Sequence, residues 1–184
     1  MNKAPTLGYT TTYMNCFNAC KELQEEFYGG DKEQYFMLRS YIQALNGIGH
    51  HACIEMTGES FFRLALIFRE GIHTLQHYVS RGLCVGGTLV KSIVGGTLLV
   101  ACFCSGNMEL QIVAIAVVSI ENHDNWFLFL KFLLAHLIRP PAFIASDRDK
   151  GLIPAVRAIE SINHHLYCFR HILETSIRKS SLSN

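Results

Sequence analysis

Three apolar runs of strand length follow one another between residues 82 and 119: "GLCVGG", "GTLLVACFC" and "QIVAIAVVS", with only short joins between them. The second join, "SGNMEL", is rich in residues that favour tight turns. Parallel neighbours need a crossover of about a dozen residues or more, so joins this short force an antiparallel meander. The pattern then changes. "ENHDNWFLFLKFLLAHLI" reads as a helix opened by Asn122 or Asp124 and broken by "RPP". "AFIAS" is a fourth strand, and 148–160 a helix with Leu152, Val156 and Ile159 inward. "HLYC" is a short fifth strand, followed by a last helix over about 169–179 and a basic, serine-rich tail. Strands joined through helices add in parallel. The expectation is an α/β fold: a mixed five-stranded sheet flanked by helices.

The upstream third reads as an appendage to that sheet, so the domain boundary is set at 80/81, with 1–80 helical and hairpin and 81–184 the sheet domain. Residues 14–27 place Cys16, Cys20, Leu23 and Phe27 on one helical face. Asp31 with Gln34 resembles a capping box, opening a second helix over about 32–46 that buries Tyr35, Leu38, Ile42 and Leu45. "ACIEM" and "FFRLALIF", split by "TGES", suggest a hairpin, and a short helix follows over about 70–79. The acids Glu22, Glu25, Glu26, Asp31 and Glu33 read as a solvated face.

Composition narrows the class without naming a partner. Hydrophobic residues at 49% and charged residues at 17% supply a packed core and argue against disorder. A net charge of +1 does not announce a nucleic-acid binder. The longest apolar stretch, 126–138, is interrupted by Lys131 and His136 and is short of the ~20 residues a membrane span needs, so no span is expected. Seven cysteines are an odd number, and the start "MNKAPTLGYTTTY" has no apolar signal region. The expectation is an intracellular protein with reduced, mostly buried thiols.

Several pairs have metal-ligand spacing but no partners. Cys16 and Cys20 read as core residues, and His50 and His51 as loop histidines. His73 and His77 have the spacing of a zinc-protease helix, but in "HTLQH" the general-base glutamate is absent. The stretch "ASDRDKGL" puts alternating charge where the fourth strand stops. Asp147 there is either a helix cap or a ligand at the strand end, and the two are compatible. Arg148 and Lys150 either contact phosphate or pair with Asp149. Trp126 and the Phe-rich helix face are core first and a base-stacking platform second.

In order and spacing, 82–173 resembles the Mutator-like (MULE) transposase domain, and weaker likeness extends upstream over nearly the whole chain. The stretches that carry it are "GGTLVKSIVGGTLLVACFCSGN", "IVAIAVVSIENHDNWFLFLKFL" with Glu121, "ASDRDKGLIPAV", and "HLYCFRHI" with its Cys-x-x-His pair, Cys168 and His171. The resemblance implies a ribonuclease H-like fold, DNA as partner, a nuclear location, and strand cleavage and transfer by three carboxylates holding two Mg2+ or Mn2+ ions. Two metals about 3.5–4 Å apart would activate the attacking oxygen and stabilise the leaving one.

Of that triad the resemblance assigns Asp147 as second acid, with Glu121 a weaker candidate. The first-acid position is Gly86, in "VGGT", and a further aspartate in the strand-two turn is replaced by Ser105. Glu174 stands only three residues past His171, closer than the third acid is expected. Cys168 and His171 are possible zinc ligands, with His164, His165 and Cys53 as helpers, or a thiol beside a histidine that bonds backbone. The expectation is a truncated, catalytically inactive transposase product. The alternatives are an active metal-dependent enzyme with displaced acids, and a non-catalytic DNA- or protein-binding domain.

Overall fold

The computed structural model describes residues 2–3, 10–58, 60–90 and 95–173, and the chain divides into two compact units, Met1–Tyr41 and Ile42–Asn184. In the first unit β1 (Asn2–Lys3) pairs antiparallel with β2 (Thr10–Thr11), and α1 (Tyr13–Tyr28) follows. Thr12 caps α1, its hydroxyl accepting the Asn15 N–H at 3.3 Å. The division falls within α2 (Asp31–Gly47). Ile42 is buried, whereas the side chains of Tyr35 and of the expected capping pair Asp31 and Gln34 lie outside the described residues. The face expected to be inward on α1 is exposed: Cys16, Cys20, Leu23 and Phe27 all face out. Helical spacing of apolar residues defines a stripe but not the surface that covers it.

The second unit continues with β3 (His51–Thr57), β4 (Ser60–Ile67), α3 (Arg69–Tyr78), β5 (Leu83–Leu89), β6 (Thr97–Cys104) and β7 (Leu110–Val118). It closes with α4 (His123–Ala135), β8 (Ile144–Ser146), α5 (Leu152–Arg157) and β9 (His165–Tyr167). The meander β5–β6–β7 is antiparallel, and β8 and β9 add in parallel beside β5, as expected. The sheet, however, has seven strands, in the order β3-β4-β7-β6-β5-β8-β9. The hairpin is no appendage. β4 pairs with β7 from Arg63↔Val118 to Ile67↔Ala114, so the expected boundary at 80/81 falls inside one unit. The apolar run of β4 covers an edge of β7 that would otherwise carry unpaired backbone.

One sheet face makes the core. Leu99, Ala101 and Phe103 of β6 are fully buried against Trp126, Phe129, Leu130 and Leu133 of α4 and against Leu152 and Val156 of α5. Burying each large apolar side chain stabilises the fold by about 1.5–3 kcal/mol. The opposite face of β6 carries Val100, Cys102 and Cys104, each half-buried. All seven cysteines are free, and none is buried, contrary to expectation, because three of them occupy that half-covered face and three more are exposed. Among the described residues no helix is long and apolar enough to cross a membrane.

Candidate functional site

The charged strand end lies beside the glycines of β5. Ser146, the last residue of β8, pairs in parallel with Val85, the residue before Gly86, and Asp147 follows directly as the chain leaves the strand. Nothing stands within 4 Å of where a Cβ on Gly86 would be. After Ser146 the chain leaves the sheet and folds into two successive side-chain-to-backbone turns. Asp147 Oδ1 accepts the Asp149 N–H at 3.0 Å. Asp149 Oδ1 accepts the N–H groups of Gly151 at 2.7 Å and Leu152 at 3.1 Å. The backbone donors at the start of α5 are therefore met by Asp149 rather than Asp147, Gly151 occupies the cap position, and α5 begins at Leu152 rather than near 148. It is also shorter than the expected 148–160, ending at Arg157.

The start of α4 forms the other wall. Asn122 caps that helix, its Oδ1 accepting the Asn125 N–H at 2.9 Å. Gly151 packs directly on this cap: a Cβ there would fall 2.6 Å from the Asn122 carbonyl carbon, so only glycine lets the two segments meet. Glu121 precedes the cap, and its Oε1 accepts the Trp126 indole N–H at 3.1 Å. Its carboxylate lies over Gly87, where a Cβ would come within 2.6 Å of both oxygens. Burial pushes the Glu121 carboxyl upward, the Trp126 hydrogen bond opposes this, and the charges of Asp149 and Asp147 raise it further. Three acids thus share one electrostatic neighbourhood at the ends of β5, β7 and β8.

The family model of the MULE transposase domain matches residues 83–175, which is half of the chain and includes this whole site. The chain belongs to the MULE transposase domain family. No curated protein and no solved structure matches it.

The divalent metals implied by the MULE resemblance can be tested against the donors present. Gly86, at the position where the resemblance expects the first acid, offers no ligand atom. One oxygen of Asp149 is taken by two backbone donors and one of Glu121 by an indole. Among the described residues no three His, Cys, Asp or Glu side chains gather so that they could hold a metal ion. The donor set does not fit a two-metal centre. Ser105 lies elsewhere: its hydroxyl accepts the Glu109 N–H at 3.3 Å within the β6–β7 turn, beyond the Cys102↔Cys84 pair at the start of β5. Glu174 lies outside the described residues.

Arg148 and Lys150 are exposed, and among the described ion pairs neither joins Asp149. Trp126 is fully buried, so it serves the core and offers no face for stacking. Cys168 extends the sheet edge, its N–H donating to the Ser146 carbonyl at 2.6 Å. The backbone N–H of His171 and then its imidazole favour the Cys168 thiolate and hold its pKa below the usual thiol value. The Cys-x-x-His pair is therefore a contact across one helical turn. The suggested zinc helpers do not join it. Cys53 stands on β3, at the opposite edge of the sheet from β9, and His165 Nε2 lies 2.7 Å from the Ser146 hydroxyl. The capping role of Asp149 was open to sequence reasoning, since Asp three residues before an apolar helical run is a start signal. The Ser146–His165 contact had no such signal.

Proposed function

We propose that this domain descends from a ribonuclease H-like DNA transposase and engages DNA without cutting it. The observation that carries the reading is that Gly86, next in β5 after the Val85↔Ser146 pair, has no ligand atom at the position where the resemblance expects the first acid. Strand order supports the fold assignment: an antiparallel meander, β7-β6-β5, continued by parallel β8 and β9. One carboxylate with a hydrogen-bonded neighbour is a poor trap for two hydrated divalent ions. Without them neither the attacking nor the leaving oxygen is stabilised. Exposed Arg148 and Lys150, flanking the turn, supply phosphate contacts that carry no sequence preference. The nucleus is the location that fits a DNA partner.

A second reading, a metal-dependent nuclease with displaced acids, is favoured by one observation: Asp147 and Asp149 both act on Glu121. Incubating supercoiled plasmid with the full chain and Mg2+ or Mn2+ separates the two. The first reading expects intact plasmid; nicking that disappears with Asp147→Ala establishes the second. Retention on DNA at low salt, falling as salt rises and weakened by Arg148→Ala with Lys150→Ala, is expected of the DNA contact. No retention at low salt removes DNA from the proposal.

A further inference from the structure

Two imidazoles meet where the edge strand β3 reaches the C-terminal end of α4. The ring centroids of His51 and His136 are 4.3 Å apart, with planes inclined by 41°. His136 is oriented by its own helix. Its Nδ1 lies 2.8 Å from the Phe132 carbonyl oxygen. A carbonyl only accepts, so Nδ1 carries a proton, and in the neutral ring Nε2 presents a lone pair. The Phe132 ring packs edge-on against the imidazole at 4.8 Å and holds its plane. A ring N–H anchored on a backbone carbonyl, with the other nitrogen free, is the arrangement that prepares histidine as a metal ligand.

Burial first, then His136 and His50, push the His51 pKa below the usual imidazole value. His50 itself is engaged elsewhere, accepting the Arg69 N–H at 3.1 Å and standing 3.8 Å from Glu70. Among the described residues neither the His51 ring nor Nε2 of His136 takes part in a hydrogen bond or ion pair. Two imidazole rings thus lie at close range, with ring nitrogens that no other described group engages. His136 opposes protonation of His51, whereas a shared cation satisfies both.

We propose that His51 and His136 together bind a divalent transition-metal ion of imidazole preference, Zn2+ or Ni2+, with water completing its coordination. Imidazole nitrogen suits these ions, while Mg2+ and Ca2+ select oxygen ligands. The ion ties the sheet edge to α4. β3 and β8 lie at opposite sides of the sheet order, so the site is independent of the carboxylates around Asp147 and of the proposed DNA role.

The test uses the full chain without a histidine tag. His73 and His77, whose rings lie 5.6 Å apart on α3, and the exposed thiols Cys16 and Cys20 on α1 can chelate by themselves, so the background carries His73→Gln, His77→Gln, Cys16→Ser and Cys20→Ser. Calorimetric titration with NiCl2 or ZnCl2 is expected to show one ion per chain. The same ion should raise the melting temperature, because it binds only the folded chain. His51→Gln and His136→Gln should each abolish both effects while leaving the metal-free melting temperature essentially unchanged. Uptake that survives both substitutions overturns the assignment, as does the absence of any saturable uptake. Displacement of Ni2+ by equimolar Mg2+ overturns the imidazole chemistry.

Discussion

The Glu121 carboxylate fills the space that any side chain at Gly87 would need, with both oxygens 2.6 Å from where its Cβ would stand. β5 is thereby shaped to seat an acid that arrives from the end of β7, and Trp126 fixes it there. Gly87→Ala should displace Glu121 and break the indole hydrogen bond, destabilising the fold by about 1 kcal/mol. Trp126 is the sole tryptophan, so its fluorescence during urea unfolding reports both the altered contact and the stability loss. Gly86→Ala, one residue away with open space at its Cβ, is the control that should cost little. Equal stability for the two variants would contradict the seating of Glu121.

The same carboxyl makes stability depend on pH. Its folded pKa is raised, chiefly by burial and then by Asp149 and Asp147, so the folded state holds the proton more tightly than the unfolded chain. Its contribution is complete below the unfolded value and is lost as pH rises through the folded one. Glu121→Gln keeps an oxygen for the Trp126 N–H but removes the charge. The variant should be more stable than wild type at neutral pH, and the difference should vanish in acid. Urea midpoints measured across that range decide it; a variant less stable at neutral pH contradicts the sign.

Asp149 and Asp147 are neighbours with unequal structural duties. Asp149 satisfies two backbone donors at the start of α5, and Asp147 satisfies one. Asp149→Ala should cost about 1 kcal/mol, the usual loss of a helix cap, and Asp147→Ala less. Thermal or urea melts rank them, and the reverse order would return the capping role to Asp147.

Much of this was legible in the chain. Short joins between 82 and 119 dictated the meander, and helices between later strands dictated the parallel additions. The partner of β4 was not legible: Leu64–Ile67 is apolar enough to be a buried strand, but nothing in it names β7. α1 shows the same limit, since its apolar stripe stays exposed. At the site, "ASDRDKGL" marked the right place, yet dividing the work between Asp147 and Asp149 required backbone donors that only the folded turn presents. Glu121 was a weak candidate because nothing in sequence shows that Gly87 makes room for it.

The thiols should separate sharply by reactivity. Contact with the His171 backbone and ring lowers the Cys168 pKa, whereas burial first and then Cys84 and Cys104 push Cys102 up to about 11. The thiolate is the reacting form, so at neutral pH iodoacetamide should label Cys168 well ahead of Cys102. His171→Ala should slow Cys168 alone. Peptide mass spectrometry over a labelling time course reads both; a Cys168 rate indifferent to His171 would contradict the contact.

Paired metals need paired carboxylates, and Gly86 stands where the resemblance expects the acid that would partner Asp147. Mn2+ makes this directly measurable, because the paramagnetic resonance signal of the free ion falls as the ion is bound. In a titration of the full chain and its Asp147→Ala variant, the two should deplete free Mn2+ equally. Uptake of two ions per chain by the wild type, lost on Asp147→Ala, would contradict the account.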